Sequence, residues 1–341
     1  MSVSVQRQRV PSNERSIPRS GLVIPTRNRP EQLLATIRGA LNQTVLPGEI
    51  CIVDSGAQAR TRAEIEDVCA SHGVPLIYVH PAPRGSTVQR NVGIDATEGD
   101  PVILVDDDVV LARDCLERLL EEFDRNGPQV GGVLATPNQP PRNQTTLSVL
   151  WHIAFGLGGC DRDGHASMKP GFWCEDICEP RDVVTTEAAR GLCMAFRRKV
   201  FEEERFDENM PGYALKEDVD FGYRVSRRYT IIQTPHARCD HLPAEANRPS
   251  AHLVMRVYVG NQVYLHRKNM PQDLKHRVAL WWGFLGQFAV LLGRVLREQD
   301  PGLVTGFLVG LWDQFLGRGL FDVETRTHAP RWRPYRSLLA R

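Results

Sequence analysis

The chain has 341 residues, 42% hydrophobic and 24% charged, and its 42 Lys and Arg against 41 Asp and Glu leave a net charge of +1. This is globular composition with enough apolar material for a sizeable core, and it excludes a disordered, collagenous or wholly membrane-embedded chain. Such a balance gives no bulk positive field, so no nucleic-acid partner held by phosphate neutralisation is expected.

Residues 1–20 hold Arg, Ser and Pro without the apolar stretch of a secretory signal, which predicts a flexible tail and a cytoplasmic protein. Eight cysteines, spread from Cys51 to Cys239, suit reduced thiols better than a disulfide framework.

From Gly21 to about Pro137 short apolar runs alternate with amphipathic segments, the pattern of a parallel sheet with crossover helices. Strands are predicted at Leu22–Pro25, Glu49–Val53, Leu76–His80, Pro101–Val105 and Gly131–Thr136. Leu33, Leu34, Ile37, Ala40 and Leu41 recur at helical spacing behind Pro30, and Ala112–Asn126 repeats the pattern until Gly127-Pro128 stops it.

Residues 138–182 are rich in Pro, Gly, Asp and Cys and show little periodicity, which predicts a long irregular, substrate-facing insert. Cys160, Cys174 and Cys178 with His165 raise zinc there, but the spacing matches no finger or ribbon and reduced thiols are expected. A strand at Gly191–Phe196, a helix from Glu217 to about Arg228 and a strand near Thr230–Thr234 follow.

Beyond Ser250 the pattern is helical. Val278–Gly293 has 16 residues without a formal charge, short of the roughly 20 that a spanning helix needs. With the apolar stretch Gly302–Leu316 and the basic residues Arg318, Arg326, Arg331, Arg333 and Arg336, it suits a helix lying in a membrane surface. A helical hairpin covering the sheet or joining two copies of the chain fits the same composition.

Chemistry concentrates at the strand ends. Asp106-Asp107-Asp108 follows an apolar strand, where an open α/β sheet binds ligands, and three adjacent carboxylates there suit a divalent cation or a ribose hydroxyl better than a solvated turn. Pro25-Thr26-Arg27-Asn28, Asp54-Ser55-Gly56, and Arg84 with Gln89-Arg90-Asn91 sit at comparable ends. The chain lacks a Gly-x-Gly-x-x-Gly turn and a P-loop, which argues against a nicotinamide oxidoreductase or a P-loop nucleotidase.

With Val23-Ile-Pro-Thr-Arg-Asn-Arg-Pro30, Val53-Asp-Ser-Gly56, Gln89-Arg-Asn-Val-Gly93, Asp106-Asp-Asp108, Gly191-Leu-Cys-Met-Ala-Phe-Arg-Arg198 and Glu217-Asp-Val-Asp220 in order, the sequence resembles the GT-A glycosyltransferases of the mostly inverting family 2 over about residues 21–270. The resemblance implies a Rossmann-like mixed sheet flanked by helices. It divides the chain into a tail (1–20), a catalytic domain (21–250) and a C-terminal helical region (251–341). The catalytic domain would comprise a nucleotide-binding half (21–137), an irregular acceptor-side insert (138–190) and an acceptor and base half (191–250).

The same resemblance implies a nucleotide-sugar donor, a divalent metal (Mn2+ or Mg2+) and a glycan or lipid-linked acceptor. It puts Pro25, Thr26, Arg27 and Asp54 at the nucleotide, with Asp54 favouring a UDP or dTDP donor by accepting an imide N–H. Arg84 or Arg90 would line the nucleotide, Asp106 and Asp107 would face the ribose or lie behind the metal ligand, and Asp108 with His241 would hold the metal, His236 being the runner-up. An in-line displacement needs a base on the far side of the sugar. Asp218 matches that position and Glu217 is its neighbour.

The Gln-x-x-Arg-Trp signature of processive synthases is missing. The competing readings are a catalytically inactive nucleotide-sugar-binding or scaffolding module and a retaining relative. Peripheral attachment to the cytoplasmic membrane face through the C-terminal helices is also expected, and a homo-oligomer is left open.

Overall fold

The computed structural model describes residues 20–56, 62–80, 82–138, 145–158, 165–174, 179–242, 249–323 and 325–328, together with the backbone of residues 5–7. Within the predicted tail, β1 (Val5–Arg7) pairs with a sheet strand. The first half then runs β2 (Gly21–Thr26), α1 (Pro30–Leu41), β3 (Glu49–Asp54), α2 (Arg62–Ser71), β4 (Leu76–Val79), α3 (Ser86–Ala96) and β5 (Val102–Val105). After β6 (Val109–Leu111), α4 (Cys115–Asn126) and β7 (Val130–Pro137) come α5 (Thr146–Phe155), β8 (Val184–Thr185), β9 (Cys193–Phe196), α6 (Val200–Glu203), α7 (Glu217–Ser226) and β10 (Thr230–His241). The chain continues through α8 (Ala251–Asn269), α9 (Leu274–Glu298), α10 (Gly302–Phe315), β11 (Phe321–Asp322) and β12 (Thr327–His328).

Ten strands form one sheet in the order β1-β4-β3-β2-β5-β9-β7-β10-β6, with β8 on β10. β4, β3, β2 and β5 are parallel, as their crossover helices require, while β9 runs antiparallel between β5 and β7 and makes the sheet mixed. Side chains alternate across it. Leu22 and Ile24 of β2 pack with Leu33 and Ile37 of α1 and Leu116 and Leu119 of α4 on one face. Val23 packs on the other with Ile94 of α3 and Phe221 of α7. α3 lies so close to β2 that a Cβ at Gly93 would sit 2.3 Å from Val23 Cγ1.

The insert departs from its expected irregularity. α5 forms inside it, capped by the Thr145 hydroxyl accepting from Ser148 N and ended by left-handed Gly156. Its sequence, TLSVLWHIAF, is apolar on nearly every side and therefore gives no amphipathic period. Cys160 and Cys178 lie outside the described residues. Cys174 is buried with Arg190 Nη2 3.9 Å from its sulfur, and His165 bonds Thr185. α9 is longer than its uncharged stretch suggested, and its 25 residues suffice by length and composition to cross a membrane.

α7 is anchored by a buried charge cluster. Asp220 accepts hydrogen bonds from Arg224 on its own helix (3.0 Å), Lys268 on α8 (2.7 Å) and Asn269 (2.8 Å). Burial works to raise its pKa, but Arg224 and Lys268 prevail and hold the carboxyl down at about 2. A depressed pKa gives stability that is present above the ordinary aspartate value and lost as pH falls through the native one. Asp220→Asn should therefore destabilise the protein by about 3 kcal/mol near neutrality. Urea midpoints of the two proteins should converge as pH falls below about 4.

Candidate active site

The site lies where β2, β3 and β5 end together. Parallel register puts Thr26 beside Asp54, and the loop after β5 carries the acidic triplet. Asp54 is buried, with Oδ1 accepting from Gly56 N (2.7 Å) and Oδ2 from the Tyr78 hydroxyl (2.8 Å). Burial and the Asp54 carboxylate push the Tyr78 pKa up, so its hydroxyl keeps its proton and donates. Gln89 Nε2 bridges the carbonyls of Thr26 (2.9 Å) and Val53 (2.7 Å), tying the two strand ends together.

The three triplet carboxylates have separate surroundings. Asp107 turns inward and accepts from Thr26 Oγ1 (2.7 Å) and Arg29 Nη1 (2.9 Å). Asp108 takes a second bond from the same Arg29 nitrogen at 3.2 Å and lies 3.5 Å from His241 Nε2. Asp106 remains 31% exposed and accepts from Arg90 Nη2 at 2.7 Å.

Strand pairing creates the Asp108–His241 contact. Cys239-Asp240-His241 belongs to β10, rather than following the strand as expected, because β10 continues past Thr234 and pairs antiparallel with β6. His241 is thereby registered opposite Val109. His236 lies on the same strand, but no contact of its side chain to the triplet is observed.

Arg90 joins the triplet to α7. It is buried, and its guanidinium bonds Asp106 on one side and Glu217 on the other (2.5 Å). Burial works against its charge, yet Asp106 and Glu217 raise its pKa above the ordinary guanidinium value. Burial pushes the Glu217 carboxyl up to about 7, with Arg90 opposing the rise and Asp218 adding to it.

Asp218 completes the cluster. Its Oδ2 accepts from Gly191 N at 2.6 Å and its Oδ1 from Val219 N at 2.8 Å. A Cβ at Gly191 would lie 3.2 Å from Asp218 Oδ2, 3.4 Å from Arg90 and 3.7 Å from Asp106, so the glycine backbone lies against all three groups. The carboxylate pair stands at the start of α7 behind Lys216, whose left-handed φ of 70° is uncommon for a lysine. Lys216 donates to Gln262 Oε1 at 2.7 Å and lies over the Tyr258 and Trp173 rings.

Of the remaining sequence-predicted residues, Pro25 is the penultimate residue of β2, before Thr26. Burial, and then the charge of Arg84, lowers the Arg27 pKa. Arg29 was missed. It stands at the N-cap of α1, where the helix dipole disfavours a cation, and that mismatch was the signal that its partners lay elsewhere.

Among the described residues no three His, Cys, Asp or Glu side chains converge as a metal cage. Asp108 and His241 are nevertheless close enough to share one ion. A carboxylate with an imidazole suits Mn2+ or Mg2+ when substrate phosphates and water complete the shell. A separate cleft of about 590 Å³, lined by His165, Thr185, Lys199 and Tyr229 among others, shares no residue with this cluster.

Residues 22–174 match the profile described as Glycosyl transferase family 2. The chain carries a family 2 glycosyltransferase domain. It is similar to an uncharacterized glycosyltransferase of Haemophilus influenzae, at 25% identity over 111 residues, 33% of this chain and 44% of that protein. It is also similar to the uncharacterized glycosyltransferase EpsJ of Bacillus subtilis, at 29% identity over 116 residues, 34% of this chain and 33% of that protein. The matched segments thus span less than half of either curated relative.

Among solved structures, the mannosyltransferase PcManGT from Pyrobaculum calidifontis, in complex with GDP-Man and Mn2+, matches over 88% of both chains with a TM-score of 0.57 at 15% identity. GalNAc-T7 with UDP, GalNAc and Mn2+ matches over 75% of this chain and 48% of that one with a TM-score of 0.53 at 14% identity. At such identities the shared property is the fold, and the fold of this family 2 domain is GT-A.

Proposed function

We propose that the protein is an inverting glycosyltransferase that moves one sugar from a nucleotide-diphosphate donor to a hydroxyl of a glycan or lipid-linked acceptor. The observation that carries the reading is the joining of two groups in one cluster: Asp108 beside His241, and Glu217-Asp218 on α7, connected through Asp106 and Arg90. Structural neighbours solved with nucleotide or nucleotide sugar and Mn2+ support the same reading.

Asp54 and Thr26 would orient the nucleobase, with a pyrimidine favoured because a carboxylate accepts the imide N–H. Arg27 and Arg84 would flank the nucleotide, and Asp106 would face the ribose. Asp108 and His241 would hold a divalent ion, which when bound offsets the negative charge developing on the departing diphosphate. Asp218 would take the acceptor hydroxyl's proton as the acceptor oxygen bonds to the anomeric carbon. The bond from that carbon to the diphosphate oxygen breaks, and its electron pair leaves with the diphosphate. Glu217 suits this role less well, because its carboxylate is held by Arg90 and burial moves it toward the neutral form.

In-line displacement predicts a product anomer opposite to that of the donor, read by NMR coupling constants. Retained configuration would exclude Asp218 as the base of a single displacement and favour the retaining relative. Nucleotide binding without turnover on any acceptor would favour the scaffolding module.

A further inference from the structure

We propose that the face formed by α5, α9 and α10 rests on an anionic lipid bilayer, with α9 lying in the plane of its surface. On α9, Leu274, Val278, Trp281, Leu285, Leu292 and Leu296 are all exposed, from 45% to 85%. Steps of four, three, four, seven and four residues set them in one stripe. At 1.5 Å per residue it runs for about 33 Å.

The opposite side of α9 is covered by protein. Leu280, Gly283, Phe284, Gly286 and Leu291 are buried, and a Cβ at Gly283 would strike the Trp173 ring at 2.1 Å. Because this side packs on Trp173 beside the catalytic cluster and on Phe307 of α10, crossing the bilayer would carry those elements into the hydrocarbon, so α9 is placed in the surface plane although it has the length and composition to span.

The stripe continues onto its neighbours. α5 is joined to α9 by Trp151 Nε1 bonding Gly286 O (3.2 Å) and Trp282 Nε1 bonding Ala154 O (2.9 Å), and it exposes Leu147, Leu150 and Ile153 at 57% to 73%. α10 packs on α9 through Phe307 against Phe284 and Phe288 and exposes Trp312 and Phe315. Three packed helices that together expose this many large apolar side chains are unusual for a free soluble surface.

Charge selects the occupant. The three helices carry Lys275, Arg277, Arg294 and Arg297 against Glu298 and the buried Asp313, while the whole chain is nearly neutral. Half-exposed tryptophans beside arginines suit the headgroup region of an anionic bilayer, and the same basic excess would repel a second copy. The face also reaches the catalytic cluster: Trp173 bonds Ala279 O of α9 (3.3 Å) and lies 5.3 Å from the ammonium of Lys216, the residue before Glu217.

Flotation of the full chain without nucleotide tests this independently of the glycosyltransferase reading. The probes are phosphatidylcholine vesicles with and without phosphatidylglycerol, applied to wild type and to the triple variant Ile153→Glu, Leu285→Glu and Leu292→Glu. Its folding is checked by circular dichroism, since all three positions are exposed. Wild type should float with the anionic vesicles, float less as salt rises, and come off at alkaline pH without detergent. The variant should bind at least about tenfold more weakly. Equal flotation of both proteins, wild type that stays in solution with both vesicles, or release by detergent only would overturn the proposal. A wild-type dimer that the triple variant dissociates, without vesicle binding, would overturn it in favour of a second copy.

Discussion

Asp218→Asn should lower glycosyl transfer by about two to four orders of magnitude while leaving metal-dependent nucleotide affinity nearly unchanged. The amide keeps the shape of the side chain and can still accept from Gly191 N, the bond that orients Asp218 at 2.6 Å. It cannot take up the acceptor's proton. Glu217→Gln is the control. Its loss should be smaller and should come from a weakened tie to Arg90 rather than from a missing base. Turnover near wild type in Asp218→Asn, with abolition in Glu217→Gln, would exchange the two roles. Single-turnover rates together with nucleotide titrations separate these outcomes.

Arg90→Met should have the largest effect on both stability and activity. The side chain is 4% exposed and is ion-paired on both sides, to Asp106 of the triplet and to Glu217 of α7. Removing the shared cation leaves two carboxylates in a poorly solvated cluster with Asp218 beside them, a change that costs about 3 to 5 kcal/mol where buried pairs are broken. Its pH dependence follows from Glu217. Burial already pushes that carboxyl up to about 7 in the wild type, and without Arg90 it should rise further. A carboxyl with a raised native pKa binds its proton more tightly when folded, so its stabilising effect is full below the unfolded value and is lost as pH rises through the native one. Wild type and variant should lose stability in parallel while Glu217 is protonated in both, and the deficit of Arg90→Met should grow as pH rises through about 7, where only the wild-type carboxyl ionises, as read from denaturant midpoints. A deficit independent of pH would mean that packing, not charge, is what Arg90 supplies.

The extent to which the sequence foretold this arrangement depends on how local each feature is. The strand ends at Thr26, Asp54 and Asp106 were legible because each follows a short apolar run, and parallel pairing aligns them without further information. The helical faces of α1 and α4 were legible from period alone. α5 was not, since a helix apolar on nearly every side shows no contrast between its faces. The proximity of His241 to Asp108 comes from antiparallel pairing of β10 with β6, a three-residue strand too short to announce itself.

The role of Arg90 was hidden for a different reason. An arginine near a nucleotide-binding segment reads as a ligand for the donor, and only the packing of α3 against α7 shows its guanidinium filled by Asp106 and Glu217. Arg29 was obscured in the same way, because its two carboxylate partners lie on the triplet after β5, far along the chain.

The central claim is that this cluster binds a nucleotide diphosphate through a metal held by Asp108 and His241. It is tested most directly by calorimetric titration of UDP, dTDP and GDP, each with and without Mn2+, into wild type and Asp108→Ala. The account predicts binding of UDP or dTDP that strengthens with Mn2+ in the wild type, with loss of that metal response in the variant. Folded wild type that binds none of the three, or a metal response that survives in Asp108→Ala, would contradict it.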